Sequence, residues 1–222
     1  MSATGKCVQI PTRLIFDADW IFSYMFSKSP GSHPTRCIPV SIFICVLNEL
    51  PDFSSLAEIQ DNPNEAELLR NVDDVIEGLK VYSEDDRVRM LECLDIIVGG
   101  QILDLERFGP ANEGGNISAL KDNSELDDYT FSVAGCVGVF WTKMSLAHII
   151  SIPPEQEQEF FEKGVRFGKA LQMINILRDI PEDLRFGRCY IPLQELSKHG
   201  MEPSDLLIPD NIEKFRPLYD EY

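Results

Sequence analysis

From about residue 55 onward, apolar side chains recur every three or four positions along most of the chain. This spacing is typical of amphipathic α-helices, which complete one turn about every 3.6 residues. No apolar–polar alternation of the kind that marks strands persists along the chain, and no internal repeat is present. The pattern predicts an all-α protein, with helices over residues 55–80, from Ser83 through Leu105, over residues 126–150 and from Pro154 onward.

The beginning of the chain is less regular. Residues 1–35 show weak periodicity, and Asp17 and Asp19 stand two positions apart, which on a helix would place them on different sides. Ile38–Leu47 is apolar but too short to span a bilayer, so it predicts a buried helix or strand. Met1–Gly5 is polar, and no secretory signal peptide is expected.

Charge narrows the functional classes. The chain of 222 residues is long enough for one domain with a real core, and its formal net charge is -17. Nucleic-acid binding needs a basic surface, and so does adsorption to anionic lipid, so neither is expected. An acidic protein that binds an anionic ligand needs a metal ion between the two.

The cysteines indicate the compartment. None of them is paired at the close spacing of a zinc site. They are expected as buried thiols in a reducing environment, which favours a cytoplasmic protein.

The stretch Leu171–Pro192 carries the residues best suited to chemistry. On a helix, three oxygen donors of this stretch lie one turn apart and drift by about 80° around the axis. The donors are Asn175, Asp179 and Asp183, with Gln172 and Glu182 on the same side and Arg178, Arg185 and Arg188 beside them. Oxygen ligands flanked by arginines suit a hard divalent cation that holds a phosphate or diphosphate.

Two alternatives stay open at this point. Acids spaced i, i+4 near arginines also occur on solvated helix faces, where they form weak pairs. Pro181 either kinks the helix or ends it near Asp179, which would leave Asp183 on a loop. The opposite side of the helix is apolar and is expected to face a core; it is formed by Ile174, Leu177 and Leu184.

Two motifs resemble a known family. Asn175–Asp183, followed by Gly187–Pro192, resembles the second aspartate-rich motif of the squalene/phytoene synthase family. Leu126–Gly138 resembles that family's helix with a tyrosine and the sequence Val-Ala-Gly. The resemblance covers residues 53–222 well and residues 1–52 poorly. It implies a single domain over the whole chain, a helical bundle around a central cavity as in isoprenoid synthases.

The resemblance also implies an activity. Family members join two prenyl diphosphates head to head, so farnesyl or geranylgeranyl diphosphate would give a squalene- or phytoene-type product, with Mg²⁺ assisting the loss of diphosphate. The residues that match the family's site are Tyr129 as the catalytic residue, Gln172, Arg178 and Arg188 as substrate-binding residues, and Asn175, Asp179 and Asp183 as metal ligands. NADPH is expected only if the product is squalene. Peripheral contact with a membrane fits an oily product, and the resemblance implies nothing about oligomeric state.

One departure from the family is large. Its first aspartate-rich motif, with two aspartates four positions apart, is missing or badly degraded here. Asn48–Phe53 stands in its place and offers only Glu49 and Asp52, with Pro51 between them. The alternative function is therefore a non-catalytic or truncated protein that binds prenyl diphosphate or assists assembly.

Other acidic and amide residues fit the resemblance less directly. Asp73, Asp74 and Glu77 imitate a metal site but stand too far along the chain for the first motif, so they are interpreted as a solvated face. Gln101 and Asp104 follow a Gly-Gly pair on a predicted helix. They either border the substrate or belong to the end of a surface helix.

Small residues predict close helix packing. Ala134, Gly135 and Gly138 form a strip that either a helix backbone or a prenyl chain could approach. Gly164 and Gly168 stand four positions apart and form a second groove of this kind.

Overall fold

The computed structural model describes residues 53–59, 62–109 and 116–222. The helices of this part of the chain are α1 (Ser54–Glu58), α2 (Pro63–Arg70), α3 (Val72–Leu79), α4 (Glu84–Phe108), α5 (Asn123–Thr130), α6 (Cys136–His148), α7 (Pro154–Arg185), α8 (Leu193–Lys198) and α9 (Ile212–Glu221). A π-helical turn, Phe131–Gly135, joins α5 to α6, and 3-10 turns cover Pro203–Leu207 and Pro209–Asn211. The predicted all-α class is confirmed. The predictions for Asp17, Asp19, Ile38–Leu47, Glu49 and Asp52 lie outside the described residues.

Local chemistry explains where several of these helices begin and end. Ser83 precedes α4, where its Oγ accepts a hydrogen bond of 3.2 Å from the backbone N–H of Asp86. Asp122 precedes α5, and its Oδ1 accepts the backbone N–H of Ser124 at 3.0 Å. Gly187 follows α7 with φ of 80°, a left-handed conformation that favours glycine and turns the chain out of the helix.

Extended structure is minimal among the described residues. Strand β1 (Ser118–Ala119) pairs in parallel with β2 (Arg188–Cys189). The backbone N–H of Ser118 donates to the carbonyl of Gly187 at 2.9 Å, and that of Leu120 to Cys189 at 3.0 Å. This short ladder holds the residues that follow α7 in a fixed place.

Helix α7 runs without a break through Pro181. The helix therefore does not end near Asp179, and Asp183 lies on it rather than on a loop. On its apolar side Leu184 is 3% exposed, as expected for a core residue. Ile174 is 60% exposed, so its predicted burial is wrong.

The described residues divide into two compact units. The first contains residues 101–109, 116–126 and 176–222, and the second contains residues 53–59, 62–100 and 127–175. The first unit has its own core, whose most completely buried side chains are Leu120, Ile191, Leu196, Met201 and Leu218. The prediction of a single domain over residues 1–222 stays a prediction.

In the second unit, α6 and α7 approach each other through residues with little or no side chain. A Cβ atom added at Gly138 would overlap the backbone carbonyl of Gly164, and one added at Gly168 would overlap that of Ala134. The predicted strip of small residues therefore receives a helix backbone, not a prenyl chain, at these positions. Thr142 of α6 lies at the same contact, because a Cβ atom added at Gly164 of α7 would lie 2.3 Å from its Oγ1.

No helix of the described part of the chain combines the length and apolar character needed to cross a lipid bilayer.

Replacing Gly138 by alanine should destabilise the protein by about 3 kcal/mol or more, because overpacking against a rigid backbone forces the helices apart. Urea denaturation followed by circular dichroism measures the change. Gly99→Ala is the matched control. Gly99 is exposed on α4, with no described atom within 4 Å of an added Cβ, so alanine there should add roughly 0.5–1 kcal/mol of stability. Equal effects of the two substitutions would contradict the packing described for α6 and α7.

Candidate functional site

The oxygen donors predicted as metal ligands all belong to α7. Because the helix is continuous, Asn175, Asp179 and Asp183 keep their i, i+4, i+8 spacing and occupy one side of it. The side chain of Asp179 is 35% exposed, and Asn175 and Asp183 are half-buried. The row is thus neither a fully solvated face nor part of the apolar core.

Arg178 holds both carboxylate oxygens of Asp179. Its Nε donates to Oδ1 at 2.7 Å and its Nη2 to Oδ2 at 2.5 Å. The Arg178 side chain is 66% exposed, and the contact with Asp179 raises its pKa. An exposed pair between chain neighbours is weakly held, so a cation or an anion can compete for either partner.

Asp183 is the most perturbed carboxyl group of the row. Burial is the main cause that raises its pKa to about 7, and the negative charges of Asp179 and Asp104 add to it, whereas Arg188 acts in the opposite direction. A carboxylate in these surroundings gains from a nearby cation, because the cation favours its charged form. The donor set of two carboxylates and one amide fits Mg²⁺, which prefers oxygen ligands.

A buried polar network lies beside Asp183 in the first unit. Arg188 Nη1 donates to Asp104 Oδ2 at 3.1 Å, and the Tyr190 hydroxyl donates to the same oxygen at 3.0 Å. The Arg188 and Asp104 side chains are only 11% and 7% exposed. The ring of Tyr190 also packs edge-on against Phe108, with centroids 5.2 Å apart. Arg188 is therefore held rigidly by an internal carboxylate.

Tyr190 is the member of this network that the sequence reasoning missed. A usable signal was present, because Arg188 and Tyr190 stand two positions apart in an extended segment and so point to the same side. Of the two alternatives for Asp104, near the substrate or at the end of a surface helix, its 5% exposure excludes the second. Gln101 is equally buried, at 5%.

In the second unit, Tyr129 and Asn175 are connected through Gln172. The Gln172 amide donates to the Tyr129 hydroxyl at 3.4 Å, and the Asn175 amide donates to Gln172 Oε1, also at 3.4 Å. Tyr129 and Gln172 are buried, at 5% and 7% exposure. With its Nδ2 directed toward Gln172, Asn175 has its Oδ1 as the atom that can face a cation.

The structure does not bring every acidic candidate together. Within the described ranges, no cluster of three or more His, Cys, Asp or Glu side chains is arranged to hold a metal ion. Asp73, Asp74 and Glu77 are exposed on α3, in keeping with a solvated face. The ligand set Asn175, Asp179 and Asp183 stays a prediction.

A cavity of about 360 Å³ lies in the first unit. Helix α7 contributes Leu177, Arg178, Ile180 and Pro181 to its wall, and the remaining lining comes from residues 201–220. Leu177 and Pro181 lie roughly 160° around the helix from Asp179. None of the three oxygen donors lines this cavity, whereas Arg178, which pairs with Asp179, does.

Asp183→Asn should change how stability depends on pH in the metal-free protein. The pKa of Asp183 is about 7 in the folded state, against its ordinary value of 3.8, so the folded state keeps a proton that the unfolded state has lost between these pH values. Wild-type stability should fall as pH rises through this window, by on the order of 3 kcal/mol, and the asparagine variant should lack this loss.

Urea denaturation in the presence of EDTA at intervals from pH 4.5 to pH 8 provides the measurement. Asp73→Asn, on the exposed face of α3, is the control and should leave the pH profile of the wild type unchanged. A parallel profile for wild type and Asp183→Asn would show that the surroundings of Asp183 do not act on its ionisation as described.

Known proteins share the region of the chain that contains these residues. The family model described as squalene/phytoene synthase matches residues 49–222. A phytoene synthase of Arthrospira platensis is 34% identical over 131 residues, 55% of this chain and 38% of that protein. A 4,4'-diapophytoene synthase of Staphylococcus haemolyticus is 41% identical over 97 residues, 44% of this chain and 30% of that protein. The chain thus spans about a third of the length of these relatives.

The matched region includes the row of donors on α7, the buried Arg188 and Tyr190, and the Tyr129 helix. It covers most of the chain. The chain therefore belongs to the squalene/phytoene synthase family.

Proposed function

We propose that this protein joins two prenyl diphosphates head to head, with Mg²⁺-assisted loss of diphosphate. The observation that carries the proposal is the unbroken course of α7 through Pro181, which keeps Asn175, Asp179 and Asp183 in one row. The half-buried Asp183 beside Arg188 supports it, because that environment favours a bound cation. Relatives named phytoene synthase and 4,4'-diapophytoene synthase support the reaction class.

Asn175, Asp179 and Asp183 would hold the metal. When bound, Mg²⁺ would neutralise the negative charge that develops on the departing diphosphate. The chain's own contribution would be to present three oxygen donors on a rigid helix and to exchange the Arg178–Asp179 pair for contacts with cation and anion. Arg178 would then be released to bind a phosphate oxygen, for which a guanidinium is well suited.

Arg188 would serve the diphosphate from a fixed position. Asp104, which also accepts a hydrogen bond from Tyr190, restricts the Arg188 side chain, so little entropy is lost when an anion is bound. The negative charge of Asp104 partly offsets Arg188, which keeps this region from repelling a cation at Asp183.

Tyr129 would guide proton movement near the reacting carbons. Its hydroxyl accepts a hydrogen bond from Gln172, which fixes the position of the phenolic oxygen. Gln172 would orient Tyr129 and Asn175 together, since it contacts both side chains. In this proposal Gln172 contributes to substrate binding by orienting these two neighbours.

Farnesyl or geranylgeranyl diphosphate is the proposed substrate, and a product of the phytoene or dehydrosqualene type agrees best with the named relatives. NADPH belongs to the proposal only for a squalene product, which requires reduction. A cytoplasmic location with peripheral membrane contact fits a water-soluble substrate and an oily product.

A second function is supported by one observation. Asn48–Phe53 lacks the pair of aspartates that the family's first motif supplies, so the metal–diphosphate clamp would be formed from α7 alone. Such a protein would bind prenyl diphosphate with Mg²⁺ and turn it over slowly or not at all. Its role would then be sequestration or assembly.

Asp179→Ala should weaken Mg²⁺-dependent binding of farnesyl diphosphate by about 10–100-fold, because a charge-assisted contact contributes roughly 1.5–3 kcal/mol. Isothermal titration calorimetry with and without Mg²⁺ measures the affinity. Asp74→Ala removes an exposed acid from α3 and should leave the affinity unchanged. Unchanged binding in Asp179→Ala would show that the metal is held elsewhere.

Turnover separates the two functions. Incubation with farnesyl or geranylgeranyl diphosphate and Mg²⁺, followed by organic extraction and mass spectrometry, detects a C30 or C40 hydrocarbon if the protein is an enzyme. Binding that depends on Asp179 without any such product would instead support sequestration or assembly.

A further inference from the structure

Helix α4 packs antiparallel to the segment formed by the π-helical turn and α6, within the second unit. Three contacts follow one another along the pair, each joining a later residue of α4 to an earlier residue of the partner segment. Two are polar contacts, Asp86 with His148 at 2.8 Å and Glu92 with Lys143 at 2.6 Å. The third is the close approach of Gly100 to Ser132, where a Cβ atom added at Gly100 would overlap the Cβ of Ser132. The interface is therefore fixed at both ends and in the middle.

Two cysteines meet in this interface. Cys93 of α4 is half-buried and Cys136, the first residue of α6, is buried. Cys93 stands seven positions before Gly100 and Cys136 four positions after Ser132, so both lie on the sides of the two segments that meet. The two thiols affect each other's pKa, which agrees with a contact between them. Both are free thiols. A disulfide needs the two sulfur atoms at about 2.0 Å, which side-chain rotation can achieve from such a contact when the helices already hold the backbones in place.

The surroundings give the two thiols different reactivity. The contact with Cys136 is the main cause that lowers the pKa of Cys93, and the positive charge of Lys143 lowers it further. The contact with Cys93 and burial raise the pKa of Cys136. Cys136 also lies 3.1 Å from the carbonyl oxygen of Ser132, to which its S–H donates. Cys93 is thus the more nucleophilic and the more accessible of the pair.

We propose that Cys93 and Cys136 form a reversible disulfide when the protein meets hydrogen peroxide, with Cys93 as the attacking thiolate and Cys136 as the resolving thiol. The Cys93 sulfur attacks one peroxide oxygen, the O–O bond breaks, and a sulfenic acid and hydroxide form. The Cys136 sulfur then attacks the Cys93 sulfur, the S–O bond breaks, and the hydroxyl group leaves with the Cys136 proton as water. Overall, two thiols are oxidised and one peroxide is reduced to two waters.

The bond would join α4 to the residue directly after the π-helical turn. That turn follows α5, the helix on which Tyr129 lies. Oxidation would therefore restrict a π-helical segment, a geometry that is costly and uncommon in helices, next to the tyrosine that the proposed function uses. The disulfide itself does not depend on that function.

Peptide mapping of the intact chain tests the proposal. The protein is treated with equimolar hydrogen peroxide, free thiols are blocked with iodoacetamide, and the non-reduced digest is analysed by mass spectrometry. The expected result is a dominant linked peptide pair containing Cys93 and Cys136, lighter than the two separate peptides by two hydrogens and lost on reduction. Absence of this pair, or crosslinks spread over other cysteines, would overturn the proposal.

Two serine variants distinguish the roles of the thiols. Cys136→Ser should lose the linked peptide and accumulate the Cys93 sulfenic acid, with several-fold more labelling by dimedone than in the wild type. Cys93→Ser should leave Cys136 unoxidised.

Cys189→Ser is the matched control, because Cys189 is a buried thiol of the first unit. This variant should form the Cys93–Cys136 bond as the wild type does. Equal dimedone labelling of wild type and Cys136→Ser would contradict a resolving role for Cys136. The wild-type digest decides the main question even if a variant folds poorly.

Discussion

The close approach of α6 and α7 is the constraint on which the rest of the second unit depends. At Gly138 and Gly164 the two backbones are so near that no side chain fits between them. This proximity lets Gln172 reach across to the hydroxyl of Tyr129. A wider separation would break a hydrogen bond that is already long at 3.4 Å, and loss of a hydrogen bond in the interior is costly.

Charge balance has a comparable role in the first unit. Asp104, Asp183 and Asp179 bring several negative charges near one another, and among the described residues Arg188 and Arg178 are the cations that the structure places against them. Burial of Asp183 without a cation is therefore unfavourable, and the raised pKa expresses that cost. A protein selected only for stability has little reason to keep such a group on a half-buried helix face, whereas a protein that binds a divalent cation does.

Much of this architecture could be predicted from the sequence because it is encoded locally. Helical periodicity, the Ser83 cap and the donor spacing on α7 each depend on residues a few positions apart. The course of the chain at Pro181 could not be decided in this way, since a proline within a helix is tolerated only where the surrounding structure compensates for it. The contact between Tyr190 and Asp104 joins residues 86 positions apart, and sequence spacing carries no information about such a pair. The sequence predicts the strip at Ala134 and Gly138, but only the positions of Gly164 and Gly168 in space show that a helix rather than a prenyl chain approaches it.

The two arginines of the proposed site differ in a way that follows from their burial. Arg178 pairs with its neighbour Asp179 at the surface, where water can replace either partner, so its side chain is able to change partners when ligands arrive. Arg188 pairs with Asp104 in the interior, where removal of one partner typically costs about 3–5 kcal/mol because the other charge is left buried. In the proposed function Arg188 therefore serves an anion only from its present position, where it donates to Asp104, the carboxylate that also accepts from Tyr190. A site with one movable and one fixed guanidinium can admit a charged substrate through the first and still define its orientation through the second.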